Sequence, residues 1–171
     1  TISLVALALT FSRASYISFI IGLVFYIFKS HKYRLLGIMA TLALVIFLLP
    51  KPFGEGVNLL RTFSIYSRIG NWQDNLALFF QKPLLGWGYG TLGSVDSSSI
   101  LLLSSTGILG FFAFTATIYQ VYKNLSLLGQ TILITILIHS FFNNSLFFIW
   151  IYFIFWTLLG LETREYNPPE G

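Results

Sequence analysis

Ser97-Ser98-Ser99-Ile100-Leu101-Leu102-Leu103-Ser104-Ser105-Thr106-Gly107-Ile108-Leu109-Gly110-Phe111-Phe112-Ala113-Phe114-Thr115-Ala116-Thr117-Ile118 contains no Asp, Glu, Lys or Arg. About 20 consecutive and mostly apolar residues, wound as a helix, match the hydrocarbon thickness of a bilayer. The stretch therefore reads as a membrane span. Its small residues Ser104, Thr106, Gly107 and Gly110 suit close approach by a neighbouring helix. Similar runs flank it. Leu125 to Phe142 follows a turn at Lys123-Asn124, and Leu146 to Leu161 follows a turn at Asn143-Asn144-Ser145. On the N-terminal side lie Leu35 to Leu49, ended by Pro50, and Ala14 to Phe28. Thr1 to Leu9 reads as the tail of another span, interrupted by Thr10, Ser12 and Arg13. The runs before Pro50 fall short of a full span, and their basic flanks can snorkel to make up the difference.

Composition agrees. Of 171 residues, 56% are hydrophobic and 9% charged, with a mean hydropathy of +0.78. Soluble domains carry roughly 25% charged residues. The chain has too little polar surface to cover a water-soluble globule. It has no Cys, which excludes disulfides and thiolate metal sites. The net charge of +4 is scattered, which fits lipid head groups or anionic substrates and argues against nucleic acid. The opening Thr1-Ile2-Ser3-Leu4 has neither an initiator Met nor a basic n-region, so a longer protein with further helices upstream is expected. The expected fold is all-α: a polytopic transmembrane helical bundle over residues 1–161, with an outer loop at about 50–96. A polar cytoplasmic tail without packed structure is expected over 162–171.

Alternating the spans divides the basic residues five against five. The dense cluster Lys29, Lys32 and Arg34 in a short turn breaks the tie and assigns that turn to the cytoplasm. The long loop then faces outward. Within it Ile65, Ile69, Trp72, Leu76 and Phe79 recur at spacings of four, three, four and three. That period predicts an amphipathic helix over about 65–81, lying along the membrane interface with Gln73 and Asp74 opposite the stripe. If the helix reaches back to Arg61, Arg61 and Arg68 share one edge of it. Two guanidiniums there offer a clamp for phosphate or pyrophosphate, or else a simple anchor to lipid phosphates.

Pro83-Leu84-Leu85-Gly86-Trp87-Gly88-Tyr89-Gly90 follows. The alternating glycines permit positive φ and close approach to a ligand, while Trp87 and Tyr89 suit a sugar face or the water–lipid boundary. A structural turn explains the same glycines more simply. Asp96 is either a general base for a sugar hydroxyl or a cap on the helix behind it. His139 either joins two helices through a hydrogen bond, the commoner fate of a lone intramembrane His, or reaches the site.

In their order, these features resemble the O-antigen ligase and O-antigen polymerase superfamily of bacterial membrane glycosyltransferases. The matching elements are Thr10-Phe11-Ser12-Arg13 before a span, Arg68 four residues ahead of Trp72, the run Pro83 to Gly90, and, behind Asp96, Leu101 to Gly110. The resemblance extends from Thr10 to about Leu161. It implies metal- and cofactor-independent glycosyl transfer at the extracytoplasmic face of the bacterial inner membrane. The implied donor is a glycan on undecaprenyl pyrophosphate, and the acceptor is another lipid-linked repeat unit or lipid A core. Arg13, Arg61 and Arg68 would hold the pyrophosphate. Asp96, Arg68 and Arg13 are the catalytic candidates. Trp72, Gly86, Trp87, Gly88, Tyr89, Gly90 and His139 join Arg61 as substrate-binding candidates. Ligases carry a His after the glycine-rich turn, where this chain has Val95-Asp96-Ser97-Ser98, so the expectation is a polymerase. A transporter of the same lipid-linked sugars is the rival, but transporters favour ionisable residues at mid-membrane, and His139 is the one candidate within these spans.

Overall fold

Three serines set where helices begin. In the computed structural model, which describes residues 7, 9, 10, 12–48, 62–93 and 95–166, Ser12 caps α1 (Arg13–Ser30) by accepting a hydrogen bond from the Ser15 amide at 3.3 Å. Ser97 caps α4 (Ser98–Lys123) through the Ile100 amide, and Ser126 caps α5 (Leu127–Phe142) through the Gly129 amide. A hydroxyl in this position satisfies one of the orphan amides of the first turn, worth about 1 kcal/mol. The remaining helices are α2 (Leu35–Leu48), α3 (Phe63–Gln81) and α6 (Ile149–Tyr166). α1 ends at His31, which adopts the left-handed conformation at φ 55°, and α3 ends at Lys82, ahead of Pro83.

The all-helical expectation holds: among the described residues there is no strand. α1 and α4 are long and apolar enough to cross a membrane. Three boundaries differ from expectation by three residues or more. α4 continues past Ile118 to Lys123. Leu146 is buried in the turn before α6 rather than opening that helix. The polar tail does not start at Glu162, because α6 runs on to Tyr166 and the Ser126 hydroxyl donates to the Glu162 carboxylate. Polar composition misleads there because Glu162 finds its partner on another helix.

α1 packs chiefly on α5, α5 on α4, and α4 on α3, with α2 beside α1. Ala14, Ser18 and Gly22 are buried along α1 at spacings of four. Gly22 meets Thr135 so closely that any Cβ would overlap its hydroxyl. Small residues repeated every fourth position let two helix backbones approach. The apolar core lies between the C-terminal half of α4, α5 and α6, around Ile118, Leu133, Phe155 and Leu159.

α3 forms over the residues expected to be helical, 65–81, but its apolar stripe is only partly covered, with Trp72, Leu76 and Phe79 half-buried. Asn75 is its one buried residue, with its carbonyl accepting from the Ser104 hydroxyl of α4. Ile65 and Ile69 stay partly exposed, and Gln73 and Asp74 are exposed as expected.

Candidate functional site

α3 folds back over the start of α1 and the end of α5, and a cavity of about 530 Å³ forms between them. That volume lies in the range of small-molecule sites. Arg13 enters from α1 and Arg68 from α3. The hydroxyl residues Thr10, Ser12 and Ser64 also line it, and Ile17, Ile65, Ile69 and Trp72 make its wall largely apolar. Arg13 donates from Nη2 to Ser64 Oγ at 2.6 Å, so one arginine is tied to the helix that carries the other. Arg68 donates from Nη1 to the Phe142 carbonyl at 2.7 Å and from Nη2 to Asn143 Oδ1 at 3.0 Å. Both acceptors are neutral oxygens at the C-terminus of α5, so they orient the guanidinium without cancelling its charge. The site is built to favour an anion in a partly desolvated, mostly apolar setting, where electrostatic attraction exceeds its value in bulk water.

The turn after α5 is where the surrounding elements meet. Besides receiving Arg68, Asn143 offers its carbonyl to the Ser98 hydroxyl at 3.3 Å. Ser98 Oγ also lies 3.2 Å from Asn144 Oδ1 and accepts from the Leu146 amide at 3.1 Å. His139 lies 3.3 Å from Ser15 Oγ on α1, 2.7 Å from Ser145 Oγ and 3.3 Å from Asn143 Nδ2. His139 thus links α1 to α5, as the commoner reading of a lone intramembrane His expects. It is not among the residues lining the arginine cavity.

Asp96 does not cap α4, because Ser97 does. Its backbone amide donates to Asn71 Oδ1 at 3.0 Å, and its carboxylate is half-buried outside the cavity lining. Asn71 is three residues beyond Arg68 on α3, roughly 4.5 Å along the axis at 1.5 Å per residue. Asp96 therefore meets α3 through its backbone, one turn beyond Arg68, and does not line the arginine cavity.

The glycine-rich run has a different occupation. α4 is broken at Gly107, which adopts φ 66° and ψ −171°. The break frees backbone groups on both sides of it, and the run supplies their partners. The amides of Trp87 and Gly88 donate to the carbonyls of Ser104 and Ser105 at 3.0 and 2.8 Å. The amides of Ile108 and Leu109 donate to the carbonyls of Pro83 and Leu84 at 2.8 and 3.4 Å. Gly86, at φ 67°, lies against the Ser105 carbonyl group, and Gly107 lies against that of Leu84, with no space for a Cβ at either. Non-helical backbone inside an apolar environment persists only when its polar groups are satisfied in this way.

Trp87 is pinned by its indole N–H to the Leu78 carbonyl at 2.8 Å, and Lys82 Nζ sits 3.9 Å above its ring. Tyr89 and Gly90 are exposed, and Tyr89 meets Phe147 edge-on. None of Gly86, Trp87, Gly88, Tyr89 or Gly90 lines the arginine cavity. Trp72 does, with its ring edge against Phe141. Arg61 lies outside the described residues.

Sequence reasoning missed Ser64 and Asn143. Ser64 sits one helical turn before Arg68, a spacing that carries the signal in retrospect. Asn143 was legible only as a turn residue, because its partners come from distant segments. No family model, curated protein or solved structure matches the chain.

Proposed function

We propose that the chain is part of a multi-pass membrane glycosyltransferase that polymerises lipid-linked oligosaccharide repeat units into surface polysaccharide. The observation that carries this reading is the convergence of Arg13 and Arg68 on one largely apolar cavity. A ligand matched to it has an anionic head and an apolar body, as a polyprenyl pyrophosphate does. The order of motifs from Thr10 to Gly110 supplies the glycan. The enzyme sits in the bacterial inner membrane with the arginine cavity at the extracytoplasmic face, and α3 lies along that interface. The exposed Phe63, Tyr66 and Phe80 of α3 support this placement, because aromatic side chains favour the headgroup level.

In the proposed reaction an acceptor sugar hydroxyl attacks the anomeric carbon of the donor. The new glycosidic C–O bond forms as the bond to pyrophosphate breaks, and the acceptor proton passes to Asp96. Undecaprenyl pyrophosphate leaves with its charge held by Arg13 and Arg68. Because the leaving group is already activated, the protein mainly supplies positive charge and a base. Asp96 is the base candidate because its backbone amide is bonded to Asn71, one turn beyond Arg68 on α3.

Deleting the gene for the full-length protein in its host and sizing the surface polysaccharide tests the reading. Loss of long chains with single repeats retained is expected. Accumulation of lipid-linked long chains would instead mark a ligase, and trapped precursor on the inner leaflet a flippase.

A further inference from the structure

The arginine cavity is served by a residue that does not line it. We infer that Asn143 is the positioning residue of the anion site: it fixes the Arg68 guanidinium and is itself fixed by His139. This rests on the reading of the cavity as an anion site.

An arginine side chain has donors only, and the amide nitrogen of Asn also only donates. Asn143 Nδ2 lies 3.3 Å from His139 Nε2, so Nε2 is the acceptor in that contact. The imidazole hydrogen then resides on Nδ1, which faces Ser145 Oγ at 2.7 Å. With Nδ2 committed to His139, Asn143 Oδ1 is directed at Arg68 Nη2, 3.0 Å away. Flipping the amide would set an NH₂ group against the guanidinium, which can only donate, so the Arg68 contact admits one amide orientation.

One hydrogen bond leaves a guanidinium free to rotate, and two fix its plane. The second is the Phe142 carbonyl at 2.7 Å. These two bonds use two of the five N–H donors that an arginine carries, leaving three for a ligand. The Phe142 carbonyl is backbone and belongs to α5. The Asn143 side chain is the part of the mount that substitution can remove. Ser15 Oγ on α1, two residues beyond Arg13, lies 3.3 Å from the same Nε2 and shares its one lone pair with the Asn143 amide, so both arginine-bearing helices meet this one network.

The test uses purified full-length protein in detergent micelles, with farnesyl pyrophosphate and the uncharged farnesol as probes. Thermal unfolding is followed in parallel. Wild type is expected to prefer the pyrophosphate, and Arg68→Gln to lose that preference. Asn143→Leu, close in volume and without polar atoms, should weaken pyrophosphate binding about tenfold, as for a charge-assisted contact no longer aligned, and leave farnesol binding unchanged. Asn143→Asp should hold Arg68 at least as firmly and melt no lower than Asn143→Leu. It should nevertheless weaken pyrophosphate binding at least as much, because its carboxylate offsets the arginine charge. A purely structural Asn143 would lower the melting temperature in the Leu variant and leave both affinities of the folded protein unchanged. Preference lost in Arg68→Gln but kept in both Asn143 variants overturns the positioning role alone. Absence of any preference in wild type overturns the anion site, and the inference with it.

Discussion

Replacing Gly107 by Ala should unfasten the glycine-rich run from α4. At φ 66° and ψ −171° the backbone lies where an L-residue pays about 1–3 kcal/mol in strain. The new Cβ would also overlap the Leu84 carbonyl group, so the two segments must separate. The bonds nearest the substitution are those from Ile108 to Pro83 at 2.8 Å and from Leu109 to Leu84 at 3.4 Å. Losing them costs about 1 kcal/mol each. The total is on the order of 3–5 kcal/mol, a large part of the roughly 5–15 kcal/mol by which folded proteins are stable. For a chain of this size it corresponds to a fall of roughly 6–20 °C in Tm. Gly37→Ala is the control. Nothing lies within 4 Å of a Cβ there, the position is helical, and Ala should be neutral or stabilising by about 0.5–1 kcal/mol. Differential scanning fluorimetry of the detergent-solubilised full-length protein reads both. Equal melting temperatures for Gly107→Ala and wild type would refute the clasp and return the glycine-rich run to an ordinary loop.

Three further outcomes are expected. Arg68→Lys keeps the charge but replaces the planar fork with one ammonium, so it should hold the Phe142 carbonyl or Asn143 Oδ1 and lose one to two decades in donor affinity; unchanged affinity in a binding titration would reduce Arg68 to a helix cap. Asp96→Asn should abolish transfer while donor binding persists, since the amide keeps the shape and cannot take a proton; full transfer at matched protein levels would release Asp96 from the base role. Leu133→Ala removes a fully buried side chain from the core between α4, α5 and α6 and should destabilise by about 2–5 kcal/mol, read as a lowered Tm with donor affinity retained, because the cavity lies elsewhere.

The helices were legible because hydrophobic runs and their breakers are local signals. Thr10 and Ser12 mark the entry to α1, and the stripe from Ile65 to Phe79 marks α3. What that stripe could not reveal is which side of α3 docks. Asn75 is buried because Ser104 meets its backbone, a match that exists only after α3 and α4 have paired. The break at Gly107 escaped for a related reason. In sequence Gly107 reads as one more small packing residue, and only the donors and acceptors of Pro83 to Gly88 make an interrupted helix tolerable there. Of the site, Arg13 was legible as a charge at the start of an apolar run and Arg68 as a charge on the edge of the amphipathic stripe. The mount that holds Arg68 was not, because Asn143 is 75 positions away from it in the chain. Glu162 illustrates the opposite error: the start of a polar segment read as an unpacked tail, Glu162 to Tyr166, is helical, and Glu162 is bonded to Ser126.

The role proposed for Arg13 and Arg68 is to hold the pyrophosphate of a lipid-linked glycan during transfer. Reconstituting the purified full-length protein in vesicles with undecaprenyl-pyrophosphate-linked repeat units and following both products tests it. A ladder of glycans growing by whole repeats is expected, with one undecaprenyl pyrophosphate released per bond formed and loss of both in Arg13→Ala and Arg68→Ala. Wild-type protein that leaves the lipid-linked repeats unconsumed, or variants that extend them as fast as wild type, would contradict it.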